Sequence, residues 1–316
     1  MKTKWLLFLL FVPAWAFPQT AIPPNNPLQV AILRWYPANV TTSFGVGTGP
    51  YAVAFDGASI WVTNTLSNTV TKLNASDGTT LGTFTVGTYP SGVAFDGANI
   101  WVANQLSNNV TELRASDGTT LGTFTVGTNP VGVAFDGANI WVANANSNTV
   151  TKLNASDGSA LGTFTVGAIP VWLAFDGANI WVTNSHGNTV TKLKASNGST
   201  LGTFTVGTNP TGVAFDGANI WVANSTSNTV TKLKASNGAV LGTFTAGSQA
   251  TGVVFDGVNI WVTNSASNTV TKLKASNGSI LGTFPTGVQP IFPAFDGANI
   301  WVPNEGNGSG NTVSKF

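Results

Sequence analysis

A motif repeated seven times at a forty-residue spacing, four strand-like runs in each period, and no helical periodicity anywhere predict an all-β fold, a seven-bladed β-propeller. Phe-Asp-Gly triplets begin at Phe55, Phe95, Phe135, Phe175, Phe215, Phe255 and Phe295. A β-sandwich does not require a long repeat of fixed period, and a stacked solenoid uses shorter coils with atypical caps.

Taken in order, residues 1–16 read as a secretory signal peptide. Lys2 and Lys4 precede an apolar run at 5–12, and Ala14-Trp-Ala16 is a small-x-small cleavage site. That run is too short to span a bilayer comfortably, and no later run is long and apolar enough to do so. With no cysteine, a lipid anchor and a disulfide framework are both excluded. The expected location is therefore outside the cytoplasm, in the periplasm or at the cell exterior. Residues 17–39 carry Pro18, Pro23, Pro24, Pro27 and Pro37, which predicts an extended segment. A Val-Ala-Ile-Leu run at 30–33 lines up with a strand of the repeat and is expected to pack as a cover or an extra outer strand.

From residue 40 to 316 the repeat takes over. In the second unit the runs fall at 92–95, 100–102, 109–113 and 121–126. Asp96-Gly97 and Asp117-Gly118 supply tight turns, since glycine adopts positive φ without steric cost. In later units the second turn becomes Asn197-Gly198, Asn237-Gly238 and Asn277-Gly278, an exchange that keeps the backbone requirement and discards the charge. The last unit stops after a third run at 311–316, while Thr-Thr-Ser-Phe-Gly-Val-Gly at 41–47 matches a fourth run and precedes the first complete unit. The early strand is expected to complete the last blade and so remove an unpaired sheet edge.

Hydrophobic content of 42%, only 8% charged residues and a net charge of +1 give an uncharged exterior. Lys72, Lys152, Lys192, Lys232 and Lys272 come once per repeat, spread around the molecule rather than gathered on a basic face. Nucleic acid is therefore not an expected partner. A monomer is expected, with no cofactor and no metal. The seven aspartates from Asp56 to Asp296 read as turn residues and the seven tryptophans from Trp61 to Trp301 as packing between blades. No phosphate loop, Cys/His metal spacing or nucleophile elbow is present.

Ile-Trp-Val-Thr-Asn at 60–64, 180–184 and 260–264, each followed by Ser-Asn or Gly-Asn and then Thr-Val-Thr-Lys-Leu, resembles the repeat of the YVTN/NHL-type β-propellers, with Trp where that family usually has Tyr. The resemblance covers residues 40–316. It implies a propeller of the kind found in surface-layer and periplasmic proteins, and a related branch is the streptogramin (virginiamycin B) lyases. Those lyases use magnesium, histidines and a glutamate near the central channel. This chain has one histidine, His186, and two glutamates, Glu112 and Glu305, which do not match that set residue by residue.

In a four-stranded blade, the link into each blade and its second-to-third turn share one face. The units differ from one another mainly there, while the Phe-Asp-Gly-Ala-Asn turn of the other face hardly changes. The departures that stand out are Tyr51, Tyr89, Trp172, His186, Phe292 and Glu305, the last beside a three-residue insertion. As exposed aromatics flanked by polar groups they would suit a glycan or peptide; as bulky residues they would equally fill space between unlike loops. The expected function is an exported, non-catalytic binding or interaction propeller with an unknown glycan, peptide or protein partner at the variable-loop face. The alternatives are a lyase or hydrolase using His186 with Glu305 at the channel mouth, and a cell-surface structural repeat protein.

Overall fold

The computed structural model describes residues 42–316. The expected signal peptide, the proline-rich segment and the run at 30–33 lie outside the described residues. Seven antiparallel four-stranded sheets form the blades of an all-β propeller. The first blade consists of Pro50–Phe55, Ser59–Asn64, Thr69–Asn74 and Thr80–Thr85, and five further blades repeat it at the sequence spacing. In blades 1 to 6 the first strand carries a bulge near its start, where the register jumps from Pro50–Asn64 to Val53–Val62 in blade 1.

The seventh blade closes the ring as the sequence predicts. Its sheet contains Ala294–Phe295, Ile300–Asn304 and Thr312–Lys315, and its outer strand is Thr42–Gly45, with Thr42 opposite Lys315 and Gly45 opposite Thr312. Phe44 packs its ring on Trp301 at 5.4 Å, as Phe84 packs on Trp61 at 5.5 Å within blade 1. The early strand thus takes over a side-chain role as well as a ladder.

The repeated turn is held by its aspartate through two separate sets of bonds. Asp136 Oδ1 accepts the backbone N–H groups of Ala138 and Asn139, at 2.9 and 2.7 Å, which shapes the turn. Oδ2 accepts the indole N–H of Trp141 at 2.7 Å, so the same carboxylate satisfies the one polar atom of a fully buried tryptophan. All seven blades repeat this indole bond. Burial pushes the Asp136 carboxyl up, but these four donors outweigh it and hold it below the usual carboxylate range.

The once-per-repeat lysine is a clasp between blades. Lys152 Nζ lies 5.0 Å from the Trp141 ring centre and donates to the Ala195 carbonyl of the next blade at 2.8 Å. Lys72, Lys192, Lys232 and Lys315 do the same, the last reaching Ala75 of the first blade. Blade 2 has Glu112 instead, which accepts from Asn99 Nδ2 at 2.8 Å. Burial and then Asp96 raise its carboxyl above the ordinary value, against that hydrogen bond.

Candidate functional site

The variable face is built on a fixed backbone. In blade 2, Tyr89 donates its N–H to Asn68 Oδ1 of the preceding blade at 2.9 Å and accepts from Gln105 N–H through its carbonyl at 3.0 Å. This clamp holds the residue before the strand in the left-handed region: Gly49, Tyr89, Asn129, Ile169, Asn209, Gln249 and Gln289 all have φ between 51° and 68°. Glycine and asparagine reach that region readily, whereas a β-branched residue such as Ile169 is a genuine outlier there. The frame therefore fixes the backbone, and the side chain at each of the seven positions is free to differ. The tip of each second-to-third turn is fixed in the same manner, by an asparagine at positive φ from Asn68 through Asn268.

Three residues further along, the first strands crowd together. A Cβ on Gly132 would meet the Val171 carbonyl at 2.5 Å and the Trp172 Cα at 3.0 Å, so neighbouring backbones leave little room for a side chain. This place in the repeat holds Ala52, Gly92, Gly132, Gly212 and Gly252, but Trp172 in blade 4 and Phe292 in blade 7. Those two blades face one another across a ring of seven. Trp172 and Phe292 nevertheless stack, ring centres 3.8 Å apart and planes 4° from parallel, so their contact crosses the axis. Tyr51 packs against the same Phe292 at 5.3 Å and 49°.

The aromatics expected to be exposed are accordingly largely consumed by one another. Phe292 is only 4% exposed, and Tyr51 and Trp172 are half-buried. Burial, and after it Tyr89 and Glu305, push the Tyr51 phenol well above its ordinary value. Phe292 also alters its own blade. With Pro293 beside it, which has no N–H for the ladder, the first strand of blade 7 shrinks to Ala294–Phe295 and leans on blade 1 through a Phe292 N–H to Tyr51 carbonyl bond of 3.4 Å.

Glu305 begins the enlarged turn of blade 7. Its N–H donates to the Gln289 carbonyl at 3.0 Å, and its own carbonyl accepts from Gly308 and Gly310 at 3.2 and 2.8 Å. Asn307 N–H donates to Gln289 Oε1, tying the insertion to the link below it. The Glu305 carboxylate is half-buried, burial raises it above its usual range, and it has no hydrogen-bond partner among the described residues. His186 is exposed at the turn tip of blade 4, across the ring from Glu305, so the two do not share a blade or an adjacent pair of blades. Among the described residues no three His, Asp or Glu side chains gather.

Charge is divided between the faces. In the links and turns of the variable face, Glu305 and His186 are the only Asp, Glu, Lys, Arg or His side chains among the described residues. The aspartates and the lysine clasps belong to the other face. Three exposed aliphatics on the variable face join the residues singled out in the sequence: Leu66 at 50%, Leu106 at 67% and Val288 at 49% exposure. Their signal was available, because the same places hold Asn146, His186, Thr226 and Ala266 in blades 3 to 6, and Thr, Ala or Ser in place of Val288.

Residues 66–283 match the family described as outer membrane protein assembly factor BamB. No curated protein matches the sequence. Solved structures that share the fold include the following three. Kuenenia stuttgartiensis hydrazine synthase is 16% identical, with 85% of this chain and 95% of that one covered at a TM-score of 0.75. A catalytically inactive virginiamycin B lyase from Staphylococcus aureus with quinupristin is 19% identical, covering 87% and 98% at 0.76. A streptogramin B lyase is 17% identical, covering 87% and 96% at 0.74. At these identities the likeness is one of fold.

Proposed function

The chain belongs to the repeat family described as outer membrane protein assembly factor BamB, and from that premise we propose that it is an exported, non-catalytic binding module whose variable-loop face engages a partner in the periplasm or at the cell surface. The observation that carries this reading is the clamp on the left-handed link residues. In six blades the link N–H donates to the preceding turn's asparagine Oδ1, and in the first Gly49 N–H donates to the Gly310 carbonyl, yet on this one backbone the seven positions present five kinds of residue. Tyr89 and Ile169 sit there although glycine or asparagine would avoid the strain of about 1–3 kcal/mol. Rigid scaffolds that vary only in their loops place recognition on those loops. Tyr51, Tyr89, Trp172, His186, Phe292 and Glu305 remain the residues around which the face is organised, with Trp172 and Phe292 as its floor.

A thermal-shift screen of glycans, peptidoglycan fragments and peptides against the mature protein tests this. The comparison protein carries Leu106→Ser and His186→Ser, both at exposed turn tips. A ligand that stabilises the parent and loses its effect in the variant supports the variable face. Ligands that shift both proteins equally would place recognition elsewhere.

A further inference from the structure

The exposed aliphatics of the variable face are not scattered. Val288, Leu66 and Leu106 belong to blades 7, 1 and 2, which are consecutive around the ring. They are also continuous with the enlarged turn of blade 7: a Cβ on Gly308 would lie 3.5 Å from Leu66 Cδ1, and Gly49 N–H donates to the Gly310 carbonyl at 2.8 Å. Tyr51 and Tyr89 stand in the same three-blade sector, and so does Glu305. Blades 3 to 6 present polar or small side chains at the equivalent places.

We propose that this sector binds a polypeptide segment of a partner protein in which a lysine or arginine side chain is flanked by apolar residues, the cation pairing with Glu305; the inference deepens the binding role argued above and rests on it. A half-buried carboxylate with no donor is costly, and a ligand that brings a cation with N–H groups relieves that cost. The apolar surroundings reduce the local dielectric and strengthen the pair relative to water. No lysine or arginine among the described residues lies on this face to neutralise Glu305 internally. Leu66, Leu106 and Val288 extend the site over three blades, more than one small cation covers, and their exposed aliphatic surface matches apolar side chains on either side of the charge. Sugars stack on flat aromatic faces, and the largest of those here, on Trp172 and Phe292, are occupied by each other.

The chain itself carries a segment of this kind outside the described residues, Ile32-Leu33-Arg34-Trp35-Tyr36. The proposed partner binds in trans, and the chain's own segment is a competing occupant that the test separates from it. A random heptapeptide display library selected on the mature protein tests the proposal, with the enriched peptides then measured against variants by fluorescence anisotropy. Expected are peptides with Lys or Arg within two positions of Leu, Ile, Val or Phe, weakened about tenfold by Glu305→Gln and several-fold by Leu106→Ser, and unaffected by Thr226→Ser at the exposed turn of blade 5, where the loss of one charged hydrogen bond sets the tenfold figure. Enrichment without a basic residue, or equal affinity for Glu305→Gln, overturns the cation site while leaving a binding face intact. Enrichment only on a chain lacking residues 17–39 overturns the partner in favour of the chain's own arginine. No enrichment on either chain overturns the peptide ligand, and the broader reading then stands or falls on the thermal-shift screen.

Discussion

Trp172 lies flat on Phe292, 3.8 Å away, and joins two blades that are otherwise separated by the width of the ring. The pair exists because five of the seven equivalent positions are Ala or Gly, which leaves space near the axis for two large side chains and no more. Replacing Phe292 with Ala removes a buried ring and should cost about 3 kcal/mol. Trp172→Ala in the same background should cost less than it does alone, with a coupling of about 1 kcal/mol. Urea denaturation of the double-mutant cycle measures it, and strict additivity would mean that the stack contributes nothing of its own.

Ile169 has φ of 51° with both neighbours of its peptide unit clamped. Asparagine, which occupies this place in blades 3 and 5, should relieve the strain and stabilise by about 1 kcal/mol, a rise in Tm of roughly 2 °C for a chain of this size. Calorimetry of Ile169→Asn checks this. An unchanged or lower Tm would show that the isoleucine side chain gives back as much in packing as its backbone loses.

Glu112 stands where other blades carry the clasp. Its folded carboxyl titrates above the unfolded one, so it destabilises most at neutral pH and ceases to do so as pH falls below the unfolded value of about 4.3. Glu112→Lys should restore the stack on Trp101 and the bond to the Ala155 carbonyl, adding about 1–2 kcal/mol at pH 7. That gain should shrink as pH is lowered toward 4. Denaturant midpoints across this range decide it, and a gain independent of pH would remove the carboxylate from the explanation.

The turn aspartates act in the opposite direction. Asp176 is raised by burial, but the Trp181 indole, Asn179 and two backbone donors outweigh this and leave it below the ordinary range. Its stabilisation is complete above the unfolded value near 3.9 and is lost as pH drops through the folded value. Trp181→Phe takes away one donor and should move the start of acid unfolding upward in pH. Tryptophan fluorescence during acid titration reads it directly, and identical acid transitions in the two proteins would count against the indole bond.

Deleting residues 40–47 removes the outer strand of blade 7 together with Phe44, and should lower Tm by well over the few degrees that a surface change produces. An unchanged melt would mean that the ring does not depend on this strand.

The frame was legible because its chemistry repeats. Asp-Gly turns, alternating strands and a truncated last unit each demand a particular backbone, and seven copies leave little freedom in reading them. What escaped was chemistry that joins residues far apart in sequence. Nothing local in Asp136 announces that its second oxygen holds an indole, although the five-residue offset to Trp141 recurs in every unit. Trp172 and Phe292 were recognisable as departures from glycine, but their meeting depends on ring geometry, which places blade 4 opposite blade 7. Read singly they looked like exposed binding residues; together they form packing. The aliphatic sector was missed because an exposed leucine is unremarkable until its neighbours around the ring are known.

The pairing of Thr42–Gly45 with Thr312–Lys315 also constrains how the chain acquires its structure. Six blades are made from contiguous sequence and can form as they are synthesised, but the seventh waits for partners about 270 residues apart. Holding such a span closed costs roughly 5 kcal/mol of chain entropy by the logarithmic rule, before any contact in the last blade repays it. Until then the unfinished ring has two open sides, one of them an unpaired strand edge, and a second unfinished chain offers the same surfaces. Folding yield should therefore fall with protein concentration more steeply than the stability of the closed ring suggests, and the last step of folding, rather than any blade, is where this protein is most exposed to misassembly.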